Sequence, residues 1–283
     1  MPFEGGIDMS CLEFRCRFYS ITCTVCAVLI AIPTAIFSAE IPELTTDRPD
    51  QTESSVTILP GFVQIETGVT HSSAGDHSVT ELPGTLVRIG VTDRIELRIG
   101  TEGWIIDDEL DTRGFGDSEV GVKLGLFEEN GWIPKSSLLA GFCIPTAKTA
   151  FEGKRFDPKL KCSCRHTSVR WTGSNTITDR LSSGYNLGVG WECEKEGGHR
   201  HMLAYLPYSV AFGYGVTDRL GVFGEFFGSI PVNPGGKPSN LIDAGFTFLV
   251  LDNFQLDLAG GAGLSDAAED WFVGAGASYR IPR

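Results

Sequence analysis

Past residue 37 the sequence has no apolar run long enough to cross a bilayer as a helix, which takes roughly 20 such residues. Any later membrane crossing must therefore use strands. Methionine is scarce, 3 residues against 35 glycines. Glycine costs roughly 1 kcal/mol relative to alanine inside a helix, so a helical bundle is disfavoured. Basic residues are the minority, 23 against 36 acidic ones for a net charge of −13, and no basic footprint for nucleic acid exists. Of the eight cysteines, four (Cys11, Cys16, Cys23, Cys26) fall in the first 39 residues. Cys143, Cys162, Cys164 and Cys193 lack paired zinc spacing and allow three disulfide pairings, among which sequence does not choose. Gly90 and Gly100 end strands with no helix to follow, so no phosphate loop is read there.

What is present begins with an export pattern. Arg15 and Arg17 precede an apolar stretch from Phe18 to Phe37, and Ser38-Ala39 supplies a small-residue exit. Basic, apolar and small-residue regions in that order make a signal peptide, and synthesis starting at Met9 rather than Met1 would sharpen it. The expected organisation is a signal over residues 1–39, a periplasmic lead-in over 40–60 and a barrel over 61–283.

From Gly61 onward apolar residues alternate with polar ones or glycine. In Ile95-Glu96-Leu97-Arg98-Ile99-Gly100-Thr101-Glu102 one face carries Ile95, Leu97 and Ile99, the other Glu96, Arg98 and Glu102. Period-two alternation is the strand signature, because successive side chains point to opposite faces. About twelve strands begin near Gly61, Glu81, Arg94, Phe115, Ser136, His166, Leu181, Met202, Arg219, Asn240, Phe254 and Trp271. Between them recur Thr92-Asp93-Arg94, Thr178-Asp179-Arg180, Thr217-Asp218-Arg219 and Leu251-Asp252-Asn253, turns whose Asp and Asn side chains are expected to bond nearby backbone. In an up-and-down meander all four fall on one side and longer loops on the other, the pattern of an outer-membrane barrel.

Alternation alone also fits a secreted β-sandwich binding module. Strands of roughly 9–12 residues suit a tilted bilayer crossing, and glycine on the polar face suits a narrow lumen. In Trp271-Phe272-Val273-Gly274-Ala275-Gly276-Ala277-Ser278-Tyr279 the face bearing Trp271, Val273, Ala275, Ala277 and Tyr279 places large aromatics at both ends, as in an interfacial girdle. The fold expected is an all-β, antiparallel, up-and-down transmembrane barrel.

Four stretches resemble a known family. These are Thr46-Asp47-Arg48-Pro49-Asp50-Gln51-Thr52-Glu53-Ser54, Gly114-Phe115-Gly116-Asp117-Ser118-Glu119-Val120-Gly121-Val122-Lys123, Ile144-Pro145-Thr146, and the run from Gly261-Ala262-Gly263-Leu264-Ser265-Asp266 through Trp271-Phe272-Val273-Gly274-Ala275-Gly276. They are similar to motifs of the outer-membrane, transporter-like family named for the meta-pathway of phenol degradation. The resemblance implies an outer-membrane barrel carrying aromatic or other hydrophobic compounds.

The residues expected to line the lumen are Glu66, Arg88, Glu96, Arg98, Glu102, Glu119, Lys123, Glu192, Glu225, Asp243, Asp257 and Arg280. Mixed charges there either pair structurally or, with acids in excess, form a selectivity field favouring cations. The segment 46–54 is expected to tie back to the lumen or the periplasmic rim. No catalytic group is assigned, since the five histidines (His71, His77, His166, His199, His201) fall in or beside loops without a strand-borne nucleophile or acid. No cofactor or metal site is assigned either. The function expected is a pore admitting small, hydrophobic or aromatic solutes by passive diffusion across a Gram-negative-type outer membrane. Its partners would be outer-membrane lipid, the barrel-assembly machinery and the solute, with no nucleic acid. The alternatives are a structural barrel with a plugged lumen and the sandwich module.

Overall fold

A computed structural model describes residues 42–108, 112–144, 146–147, 167–196, 199–233 and 235–282, without the side chains of residues 112, 192–196 and 199–202. The expected signal at 1–39, His166, Cys162 and Cys164 lie outside the described residues, as do the side chains of Glu192, Cys193, His199 and His201.

Fourteen strand segments follow one another: β1 (Val63–Ala74), β2 (His77–Thr92), β3 (Ile95–Thr101), β4 (Trp104–Asp107), β5 (Thr112–Phe115), β6 (Ser118–Phe127), β7 (Lys135–Ile144), β8 (Thr167–Thr176), β9 (Leu181–Glu196), β10 (His199–Gly215), β11 (Leu220–Pro231), β12 (Ser239–Leu251), β13 (Phe254–Gly263) and β14 (Trp271–Ile281). All pairings are antiparallel. β3 pairs with the second half of β2 and β4 with its first half; β5 likewise faces β4 while β6 faces β3. β3–β4 and β5–β6 are therefore two staves, each interrupted once, and the sheet has twelve. It closes because β1 pairs with both β2 and β14, from Val63↔Ile281 to Ser73↔Trp271. Closure leaves no barrel edge with unpaired backbone, the condition for a sheet to span lipid. No described residue is helical.

The alternation read from sequence becomes two surfaces. Outward side chains are apolar and exposed, among them Phe142 at 56%, Leu187 at 59% and Phe212 at 51%. Ile99, Val122, Phe246, Leu258 and Val273 continue the belt. Apolar side chains exposed on stave after stave suit lipid rather than water. Inward, Gln64, Glu66, Arg88, Glu96 and Lys123 are wholly buried. At the belt's ends Trp271 packs at 5.5 Å against His71, which lies on β1 itself and faces outward with its Nδ1 bonded to Thr80 (2.8 Å). Trp171 and Tyr185 stack at 5.6 Å over Gly173.

Two expectations about the connections change. The repeated Thr-Asp-Arg turns do lie on the rim that holds both barrel termini. They are held by the threonine hydroxyl, not by aspartate: Thr178 Oγ1 accepts from the amides of Arg180 (3.3 Å) and Leu181 (3.0 Å), and Thr217 Oγ1 from Arg219 (3.2 Å) and Leu220 (2.9 Å). Hydroxyl and carboxylate turns compete for the same amides, and the Thr here sits one residue nearer the strand end. The opposite rim is also not uniformly long. β1 and β2 join there through Gly75-Asp76 alone, with Gly75 at φ 61°, a left-handed conformation that favours glycine.

Candidate functional site

Five inward charges from neighbouring staves converge near the terminal rim. Arg88 holds Glu96 through two bonds (Nε–Oε1 2.9 Å, Nη2–Oε2 3.0 Å) and Glu66 through a third (3.0 Å). Arg98 reaches Glu96 at 3.1 Å, and Lys123 lies on the next stave. What completes this array is the chain ahead of the barrel. Residues 45–58 run inside the lumen.

Asp47 is the centre. Its carboxylate takes Lys123 (3.1 Å), Arg88 (3.2 Å) and Arg98, and it also accepts the amide of Ser54 (2.8 Å). Burial alone would raise its pKa, but the Arg88, Lys123 and Arg98 cations together hold it well below the usual carboxylate range. Glu66 accepts the amides of both Asp47 (2.9 Å) and Arg48 (3.0 Å), and Glu96 that of Ile58 (2.8 Å). Glu53 bonds Arg98 at 2.8 Å.

Arg48 points the other way. Its guanidinium reaches Asp257 on β13 at 3.1 Å by lying over Gly68 and Gly276, which face each other across β1 and β14. A Cβ on either glycine would fall inside the guanidinium, so this is a seat that only glycine leaves open. Further along, the Gln51 amide and the Thr52 hydroxyl bond Glu225 (2.7 and 2.5 Å), Thr52 also meets Ser209 (2.7 Å), and Ser55 meets Ser174 (2.6 Å) and, through its carbonyl, Ser137 (2.6 Å). Gly90 likewise makes room for the carbonyl of Leu59. Asp50 beside them meets no cation among the described residues: burial, then Glu225, push its carboxyl well above the usual range.

The structure thus brings Glu66, Arg88, Glu96, Arg98 and Lys123 into one network, and puts Glu225, Asp243 and Asp257 on the facing wall. Glu225 and Asp243 are direct cross-strand partners. Arg280 caps the terminal rim, bonding the Glu43 carbonyl (3.1 Å) over the Phe62 ring. Glu102 accepts the Asp117 amide (3.1 Å) where the β3–β4 stave breaks. Glu119 lies against Gly141, apart from that network. Alternation puts Gln64, Asn186 and Gln255 on the polar faces of their strands, but the lining set expected from sequence holds only charged residues and leaves them out, together with Thr172 and Arg170. Sequence reading missed that aromatics turn inward: Phe272 and Phe227 contact at 6.2 Å inside the barrel, and Tyr205 lies over its cross-strand partner Gly190.

Beyond the plugged half, toward the other rim, two adjoining cavities of about 310 and 200 Å³ share Gln51, Phe227, Ser239 and Leu241. Gln51 belongs to the plug, which is therefore their floor. We call this space the outer vestibule.

A closed antiparallel sheet, apolar without and polar within, makes this an outer-membrane β-barrel of porin-like architecture. The chain belongs to the family described as "Putative MetA-pathway of phenol degradation", whose model matches residues 46–281. No curated protein matches it. Among solved structures it is similar to the NanC porin, with a TM-score of 0.51, 9% identity, and 77% of this chain and 98% of that one covered. The KdgM porin follows at TM-score 0.47 and 11% identity over 76% and 98%. The channel titled "CymD monoaromatic hydrocarbon channel" has TM-score 0.45 and 9% identity over 79% and 88%. The NanC likeness is one of fold.

Proposed function

We propose that the protein is an outer-membrane channel through which small hydrophobic or aromatic solutes diffuse, entering at the outer vestibule and passing the N-terminal plug. Residues 1–39 would be removed on export, 40–60 would supply the plug and 61–283 would be inserted by the barrel-assembly machinery. The observation that carries the reading is the division of the lumen. Its outer half is an open cavity with inward rings, Phe227, Phe272 and Tyr205. Its inner half is filled by a segment of the same chain. The rings are set among Ser, Thr, Asn and Glu side chains, a mixture that suits an aromatic solute bearing a polar group, and the family is described by phenol degradation. The charged inward set, Glu66 through Asp257, would line the route once the plug shifts.

Uptake of a phenol and of a sugar of similar mass into liposomes bearing the refolded protein tests the reading. Phenol entering faster than through protein-free liposomes, with the sugar lagging, is the expected result. Equal rates with and without protein would sink it in favour of a plugged structural barrel. That second reading draws on the Asp47 network, which holds the plug by buried ion pairs.

A further inference from the structure

The larger lobe of the vestibule has a chemical bias of its own. Two carboxylates, Glu81 on β2 and Glu269 in the loop before β14, line it together with the Phe227–Phe272 ring pair, Leu241 and the Gln51 floor. Among the described residues lining this lobe there is no Lys or Arg. Immediately below, the next inward pair after Phe227 and Leu241 is Glu225 and Asp243. Asp243 is 6% exposed and lies against the Glu225 carboxylate, with no Lys, Arg or amide bonded to it among the described residues. Two buried carboxylates side by side are costly, and a cation arriving above them would offset that cost. Arg170, the base of the smaller lobe, sits within electrostatic reach of Glu53 on the plug and Glu119 on the wall, so its charge is partly met without a ligand.

Rings and acids together recognise a particular chemistry. A phenyl face attracts a cation within about 6 Å of its centroid, the more strongly where water is excluded. The carboxylates supply the counter-charge, and Leu241 with the ring pair takes the apolar body. We infer that the larger lobe of the outer vestibule binds an organic cation with an apolar body, an aralkyl ammonium, in preference to the neutral or anionic aromatic of the same size. The lobe's volume, about 310 Å³, is at the lower end of small-molecule sites. This inference rests on the vestibule being where solutes enter, and it names their charge.

The experiment uses the refolded full barrel in micelles and three probes that share a phenyl ring: 2-phenylethylammonium, 2-phenylethanol and phenylacetate. Calorimetric titration should show the ammonium binding about tenfold more tightly than the alcohol, with phenylacetate weakest. Glu81→Gln and Glu269→Gln should each lower ammonium affinity several-fold and leave the alcohol unchanged. Phe227→Leu should weaken both. Each variant is admitted on its heat-modifiable gel migration, and Glu269→Gln, in a loop, stands in if Glu81→Gln fails to fold. Equal affinity for all three probes overturns the inference. So does preference for phenylacetate, which would move the site to Arg170, or indifference of the ammonium to both Glu variants. Binding in micelles needs no passage through the plug. Silent liposomes with retained ammonium binding would therefore sink the channel reading alone, and phenol flux without ammonium preference would sink this inference alone.

Discussion

The two walls of the inner lumen hold the same segment in opposite ways. On the β2–β3–β6 wall, Arg88, Arg98 and Lys123 surround Asp47. Across the lumen, β11, β12 and β13 present Glu225, Asp243 and Asp257, answered by one cation, Arg48, and otherwise by the Gln51 amide and Thr52 hydroxyl. Adjacent residues, Asp47 and Arg48, thus face opposite walls whose charges are opposite. Each cation of the basic wall has a carboxylate partner, whereas Asp243 on the acidic wall has no cation among the described residues. Desolvated ion pairs are destabilising when one partner goes, because the other stays buried and uncompensated. An uncompensated carboxylate is already in that position and has less to lose. The plug should therefore be anchored at the basic wall and yield at the acidic one.

Removing the anchor should have the largest effect. Asp47→Asn leaves three buried cations short of a counter-charge and should cost about 3–5 kcal/mol, seen as loss of heat-modifiable migration at lower urea. If Asp243→Asn costs as much, the asymmetry is wrong. Next comes the glycine seat. Gly276→Ala should expel Arg48 from Asp257 and lower stability by about 1–3 kcal/mol, whereas Gly224→Ala, whose Cβ meets nothing closer than 4.0 Å, should stay within about 0.5 kcal/mol.

A pH change separates the walls without mutation. Asp50 is raised by burial and then by Glu225, with Asp47 and Asp243 adding to it. Its folded-state carboxyl is thus more easily protonated than the unfolded one. Its contribution is present in full at low pH and is lost as pH rises through the raised value. Asp47 is lowered, so its contribution persists until far more acidic conditions. Acidification toward the ordinary carboxyl value of about 4 should therefore seat the plug more firmly, read as amide exchange at residues 50–55 that slows more than that of an unfolded chain over the same pH change. Slowing less than the unfolded chain's would reverse the assignment. The smallest effect should be that of Asp243→Asn, which removes a carboxylate that faces Glu225 and is bonded by no cation or backbone amide among the described residues. Unfolding should shift by less than about 1 kcal/mol, in either direction.

Much of this was legible in the sequence. Runs such as Ile95 to Glu102 give strand, face and lipid exposure at once, because one physical rule, the two-residue period, controls all three. That residues 46–54 tie back to the lumen or the rim is expected from the sequence. Which residues they tie to is not. Arg48 finds Asp257 209 residues away, and no local pattern encodes which stave faces which across a lumen. Glycine was read as a sign of crowding, but whether Gly68 and Gly276 make room for a side chain or for a neighbouring strand depends on that same closure. The threonine-held turns were missed for a simpler reason: Thr and Asp both accept backbone amides, and only geometry picks between them.

The central claim is that the seated N-terminal segment sets passage through the barrel. Thr52 and Ser209 hydroxyls lie 2.7 Å apart, so Thr52→Cys with Ser209→Cys, the native cysteines replaced by serine, places a reducible link between plug and wall. Single-channel conductance in a planar bilayer, before and after reduction, tests the claim most directly. The account predicts a silent or low-conductance barrel when oxidised and discrete, larger steps once reduced. The same conductance in both states would contradict it.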